Sequence, residues 1–136
     1  MRMRVKAFAC TVALVLAAGV VSAKPVVYDC KPVVGRSDSV IQPEYVISYD
    51  KATGAVLVND PIIMGTVGKP IQGKVQSDSD VRTVFDWKLK TVKGTSDSAS
   101  WEYRARVFKD GRLSLTVTPV GYDNQFSSEG RCTINK

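Results

Sequence analysis

Asp78-Ser79-Asp80 is the one close pair of carboxylates in the chain. Paired carboxylates serve general acid–base chemistry, and oxygen ligands suit calcium. A calcium loop needs more acidic ligands at fixed spacing than this stretch supplies, so it reads as a solvated turn. Other chemistries fail for want of parts. The sequence contains no histidine. That removes Ser-His-Asp and Cys-His arrangements, the usual zinc ligands and the commonest base near neutral pH. No glycine-rich phosphate loop follows a strand and opens a helix. Serines and lysines are plentiful, but nothing marks one pair as a dyad. The expectation is a chain with no catalytic residue, no metal and no cofactor.

Of the three cysteines, Cys10 falls in an N-terminal leader that is expected to be removed, which leaves two thiols to be placed. Cys30 and Cys132 stand far apart in sequence, without the Cys-x-x-Cys spacing that tunes thiol reactivity. In an oxidising compartment they are expected to pair as a structural disulfide joining the first strand to the last.

Three stretches could bind rather than react. Tyr122, Asp123, Asn124 and Phe126 follow Pro119 and combine two aromatics with an acid and an amide. They read either as a recognition loop or as a turn whose rings cap the core. Ile62, Ile63 and Met64 carry more apolar surface than a solvated loop needs. A buried or edge strand accounts for them, and a hydrophobic contact lip is the alternative. Lys88, Lys90, Arg104 and Arg106 form a basic group that reads as a solvated face, or as a seat for an anionic partner.

The elements that must carry these residues are strands. In residues 100–119, Trp101, Tyr103, Ala105 and Val107 alternate with Glu102, Arg104 and Arg106. Leu113, Leu115 and Val117 alternate with Ser114, Thr116 and Thr118. Period two marks a hairpin of two half-buried strands. A two-residue turn at Asp110-Gly111 would set Arg106 opposite Leu115. A three-residue loop, Lys109-Asp110-Gly111, instead sets Val107, Ala105 and Tyr103 opposite Leu113, Leu115 and Val117. It uses Gly111 as the left-handed residue of a bulged turn. Residues 81–92 form another strand, with Thr83, Phe85, Trp87 and Leu89 on one face. Matching apolar faces and opposite charges sets Phe85 opposite Val107, Trp87 opposite Ala105 and Leu89 opposite Tyr103. Shorter strands are expected at 26–30, 45–49, 55–58 and 71–76, separated by Gly, Pro, Asn and Asp breaks. No convincing 3.6-residue period occurs after the leader. The fold class is therefore all-β, a small antiparallel barrel or sandwich of about seven or eight strands.

The chain opens with Arg2, Arg4 and Lys6, an unbroken apolar run over 7–20, and Val21-Ser22-Ala23. This is the pattern of a signal peptide, residues 1–23, with cleavage after Ala23. The apolar run is too short for a membrane span of about 20 residues. Residues 24–136 then form one secreted domain in the periplasm or outside the cell, with no stable membrane insertion. Removing the leader's three basic residues from nineteen, against thirteen acids, leaves a net charge of only +3. That balance does not call for nucleic acid.

Tyr28-Asp29-Cys30 directly after a leader, the β strands, and a last cysteine near the chain end resemble the periplasmic inhibitors of C-type lysozyme. The resemblance covers the two ends. It implies a small barrel that inserts a Ser-Gly-containing loop into an enzyme's cleft. Where that family carries Ser-Gly-x-x-Tyr, this chain reads Ala99-Ser100-Trp101-Glu102-Tyr103, so no inhibitory residue is carried over. The functional expectation is a monomeric, non-catalytic binding or interaction module whose partner is an envelope protein. The alternatives are an inhibitor of lysozyme or another envelope-directed enzyme, and a barrel holding a small ligand. The last would need an interior cavity of about 300 Å3 or more.

Overall fold

Eight strands form one closed antiparallel barrel in simple sequence order. The structure, a computed structural model, describes residues 24–35, 40–93 and 97–136; the leader expected over 1–23 lies outside them. The strands are β1 (Val26–Pro32), β2 (Tyr45–Tyr49), β3 (Val56–Asn59), β4 (Ile71–Asp78), β5 (Arg82–Lys93), β6 (Asp97–Phe108), β7 (Arg112–Pro119) and β8 (Phe126–Asn135). A short helix, α1 (Pro61–Thr66), joins β3 to β4. Each strand pairs with the next, and β8 returns to pair with β1. Closure leaves no edge running the height of the sheet. Among the described residues no helix is long and apolar enough to cross a membrane.

Alternation decides which side chains enter the barrel. On β7 the buried residues are Leu113, Leu115, Val117 and Pro119, with the residues between them half-buried. The β6–β7 hairpin has the three-residue loop. Val107, Ala105 and Tyr103 stand opposite Leu113, Leu115 and Val117. Gly111 has a φ of 91°, the left-handed conformation that the bulged turn demands. The Asp110 carboxylate closes the turn on the Arg112 backbone N–H at 3.1 Å.

The β5–β6 register differs from the one expected. It is displaced by two residues, so that Thr83, Phe85, Trp87 and Leu89 face Val107, Ala105, Tyr103 and Trp101. The displacement places Asp86 opposite Arg104 and Lys88 opposite Glu102. Arg104 grips Asp86 through two hydrogen bonds of 2.7 and 2.9 Å. Lys88 reaches Glu102 at 3.2 Å. The expected register would have set Lys88 against Arg104, a like-charge contact that this one avoids. It also stacks Trp87 on Tyr103 at 5.2 Å between ring centres and 6° between planes.

The interior is filled by two tiers of rings. Phe85 meets Tyr28 at 5.1 Å and Tyr49 at 5.7 Å. Trp87 meets Tyr103 on one side and Tyr45, at 5.9 Å, on the other. Ile47, Val58, Leu115 and Val117 fill the space around them. Cys30 and Cys132 are direct cross-strand partners at the β1–β8 seam and form the disulfide, with Cα atoms 3.9 Å apart.

Candidate functional site

The strand registers sort the connections between two ends of the barrel. Asn59 at the end of β3 stands opposite Val46 at the start of β2, and Trp101 on β6 stands opposite Pro119 at the end of β7. The end of β1, α1, the paired ends of β5 and β6 where Lys93 stands opposite Asp97, and the β7–β8 turn therefore all lie at one end, here called the rim. The two apolar stretches singled out in the sequence are both on it. Most of the large hydrophobic side chains exposed among the described residues also belong to it: Val33, Val34, Met64, Val67, Val120 and Tyr122.

Residues 62–64 are not a strand. Asp60 is a helix N-cap whose Oδ1 accepts the Ile63 N–H at 2.8 Å, and Pro61 takes the first helical position. Proline is suited there, because the N–H it lacks would have had no helical partner. The turn of helix then separates three neighbouring apolar residues. Ile63 is fully buried, Ile62 is half-buried and Met64 faces solvent. Only Met64 remains as contact surface. The Asp-Pro pair, which looks like a strand break, was the helix signal.

The β7–β8 turn divides its aromatics. Phe126 is half-buried and packs on the core, as a cap would. Tyr122 is 72% exposed, with Asp123 and Asn124 exposed beside it. Between this turn and β6 lies a cleft of about 480 Å3, lined by Trp101, Pro119, Tyr122, Asn124 and Phe126 among others. Sequence alternation placed Trp101 in the core. It is half-buried instead, because β7 stops opposite it and the chain turns away after Pro119. Pro119 followed closely by Gly121 is the signal that could have found this, since neither residue continues a strand well.

Beneath the rim sits a buried polar group. Asp60 is 5% exposed, and its Oδ2 has no hydrogen-bond partner. Burial pushes its carboxyl above the usual carboxylate range, against the pull of the Ile63 and Ile62 N–H groups. The Tyr45 and Tyr103 phenols are likewise driven up, chiefly by burial, with the Asp60 charge adding to it. The Trp87 indole N–H beside them is also buried without an acceptor.

The acidic pair at 78–80 is at the opposite end, where Asp78 has a structural role and Asp80 is exposed. Asp78 accepts the Thr83 hydroxyl at 2.9 Å and lies 3.5 Å from Lys109 Nζ. Partial burial would raise its carboxyl, but Thr83 and the nearby Lys109 and Lys51 outweigh this and hold it below the ordinary value. Ser79 closes the turn by accepting from the Val81 and Arg82 N–H groups. Among the described residues no group of acids, cysteines or histidines is arranged to hold a metal ion. Comparison with known proteins leaves the geometry to speak alone: no family model, curated protein or solved structure matches the chain.

Proposed function

We propose that this chain is an exported, non-catalytic binding module that holds a partner protein of the cell envelope against the rim of its barrel. The observation that carries the reading is the rim cleft. Its walls are Trp101, Pro119, Tyr122 and Phe126, and its volume falls within the range of ligand-binding sites. Aromatic residues of this kind dominate the energetics of protein contacts. Export is supported by the leader pattern together with the Cys30–Cys132 bond, which fits an oxidising compartment. The stacked rings along the barrel axis favour an external site over a carrier's internal one.

A photo-crosslinking residue at position 124 in the exported protein tests this. It should trap a discrete envelope partner, and Tyr122→Asp should abolish trapping. The same crosslinker at position 51, at the far end of the barrel, should trap nothing. Assays against lysozymes and proteases show whether the partner is an enzyme under inhibition. Folded, exported protein that forms no adduct at position 124 and inhibits none of these enzymes would overturn the proposal.

A further inference from the structure

The barrel wall is unevenly joined. Along β4, Ile71, Gln72 and Gly73 pair with β3, whereas pairing with β5 begins only at Lys74, opposite Asp86. Beyond that point β5 continues through residues 87–93, and among the described residues its strand pairing there is with β6 alone. Helix α1 packs near β5 at this end. No backbone hydrogen bond from α1, a loop or a turn reaches residues 87–93 among the described residues. One side of this stretch is thus a local sheet edge, presenting backbone donors and acceptors.

Outside this split is a groove of about 930 Å3, lined by Gln72, Lys74, Lys88, Arg104 and Arg106 among others. Its charges do not balance. Asp86 is committed to Arg104, and Glu102 to Lys88. Lys74 and Arg106 have no acidic partner within 4 Å among the described residues, and neither does the exposed Lys90 farther along β5. We propose that the upper edge of β5 and this groove receive an extended, acidic segment of a partner protein, added to the sheet as one more strand. The register explains the chemistry. Lys88 and Lys90 are two residues apart and so project on the same outer face. A segment with acids at every second position would set its carboxylates beside the unpaired Lys90 and toward Lys74, with Lys88 exchanging its exposed contact with Glu102 for one of them, while its backbone bonds to β5. This surface shares no argument with the rim cleft and stands or falls apart from it.

The competing account is that the lysines only discourage this edge from pairing with another copy of the chain. Titration of residues 24–136 with an acetylated octapeptide of alternating Glu and Thr separates the two, followed by calorimetry and amide exchange. The expected result is saturable binding that slows exchange within residues 87–93. Binding should weaken roughly tenfold or more in the Lys88→Glu/Lys90→Glu variant, and should fall with added salt. An octapeptide of alternating Lys and Thr should not bind, and Tyr122→Asp should bind the acidic peptide unchanged. Thermal melts establish that each variant is folded. Absence of saturable binding would overturn the proposal, as would binding indifferent to the charge reversal or protection confined to the rim. So would a Lys88→Ala/Lys90→Ala variant that self-associates in sedimentation while the parent ignores the peptide.

Discussion

Asp60 has two carboxyl oxygens in different circumstances. Oδ1 caps α1 by accepting the Ile63 N–H, while Oδ2 is buried without a donor. Asparagine caps helices about as well as aspartate, so Asp60→Asn preserves the first function and removes the charge from the second. The folded-state pKa is raised, so the folded protein holds this proton more tightly than the unfolded chain does. The resulting stabilisation is present in acid, below the unfolded value. It is lost as pH rises through the folded one. Melts of the parent and Asp60→Asn from pH 3 to pH 7 should therefore diverge as pH rises, with the variant the more stable at neutrality. A gap independent of pH would mean that the buried carboxyl carries no such penalty. At this scale the sequence was legible where side-chain type alone decides. Tyr122 could be picked out because a ring among Asp, Asn and Gly belongs to a turn. Trp101 could not, because its half-burial depends on where the neighbouring strand ends.

Among the elements, the β6–β7 hairpin and the β5–β6 pair show where pattern reading succeeds and where it fails. The loop at Lys109-Asp110-Gly111 carries its own instructions, since Gly111 fits the left-handed position that fixes the register. For β5 and β6, apolar alternation rejects odd displacements and is blind to even ones, because a shift of two leaves every side chain on its face. The charges lean toward the observed register, which keeps Lys88 away from Arg104, but do not decide it alone. Both registers oppose Asp86 to an arginine and Glu102 to a lysine, but only the observed one also stacks Trp87 on Tyr103. The consequence is that Ala105 lies between Phe85 and Leu115, all three buried, rather than beside Trp87. Ala105→Leu should overpack this layer and lower stability by about 1–3 kcal/mol, read as an earlier urea midpoint with an unchanged slope. An unchanged midpoint would show that the layer has room. The seam supplies a second case. A Cβ on Gly130 would press on the Lys31 carbonyl and come within 2.6 Å of Pro32 Cα, both backbone atoms of β1. Gly130→Ala should therefore part β1 from β8 locally and lower the melting temperature, with amide exchange speeding up first around Lys31 and Arg131. The reason lies in how closely two distant strands approach, which neither strand's own sequence displays.

At the scale of the whole molecule, closure depends on joining the most distant strands. β1 and β8 lie at opposite ends of the chain, and the cysteines that link them are 102 residues apart. Bringing such ends together is the slowest-growing but largest loop-closure term in the fold, and a covalent bond removes it from the unfolded ensemble. On the chain-entropy account a loop of this size is worth on the order of 4–5 kcal/mol, a large share of the 5–15 kcal/mol typical of a folded domain. The bond also acts at one place in the structure, because Cys30 and Cys132 are direct partners in the ladder and both are buried. Replacing both with alanine should leave the Trp87–Tyr103 stack between β5 and β6 intact at moderate temperature, while the β6–β7 turn, whose Gly111 carbonyl accepts the Cys132 N–H at 2.7 Å, loosens with the seam. Stability in guanidinium should fall by several kcal/mol, with exchange accelerating earliest in β1 and β8. The parent treated with reductant should match the double variant. A loss below about 1 kcal/mol would locate the strength of closure in the strand pairing itself, from Val27–Asn135 to Pro32–Gly130, and leave the sulfur bond as reinforcement only.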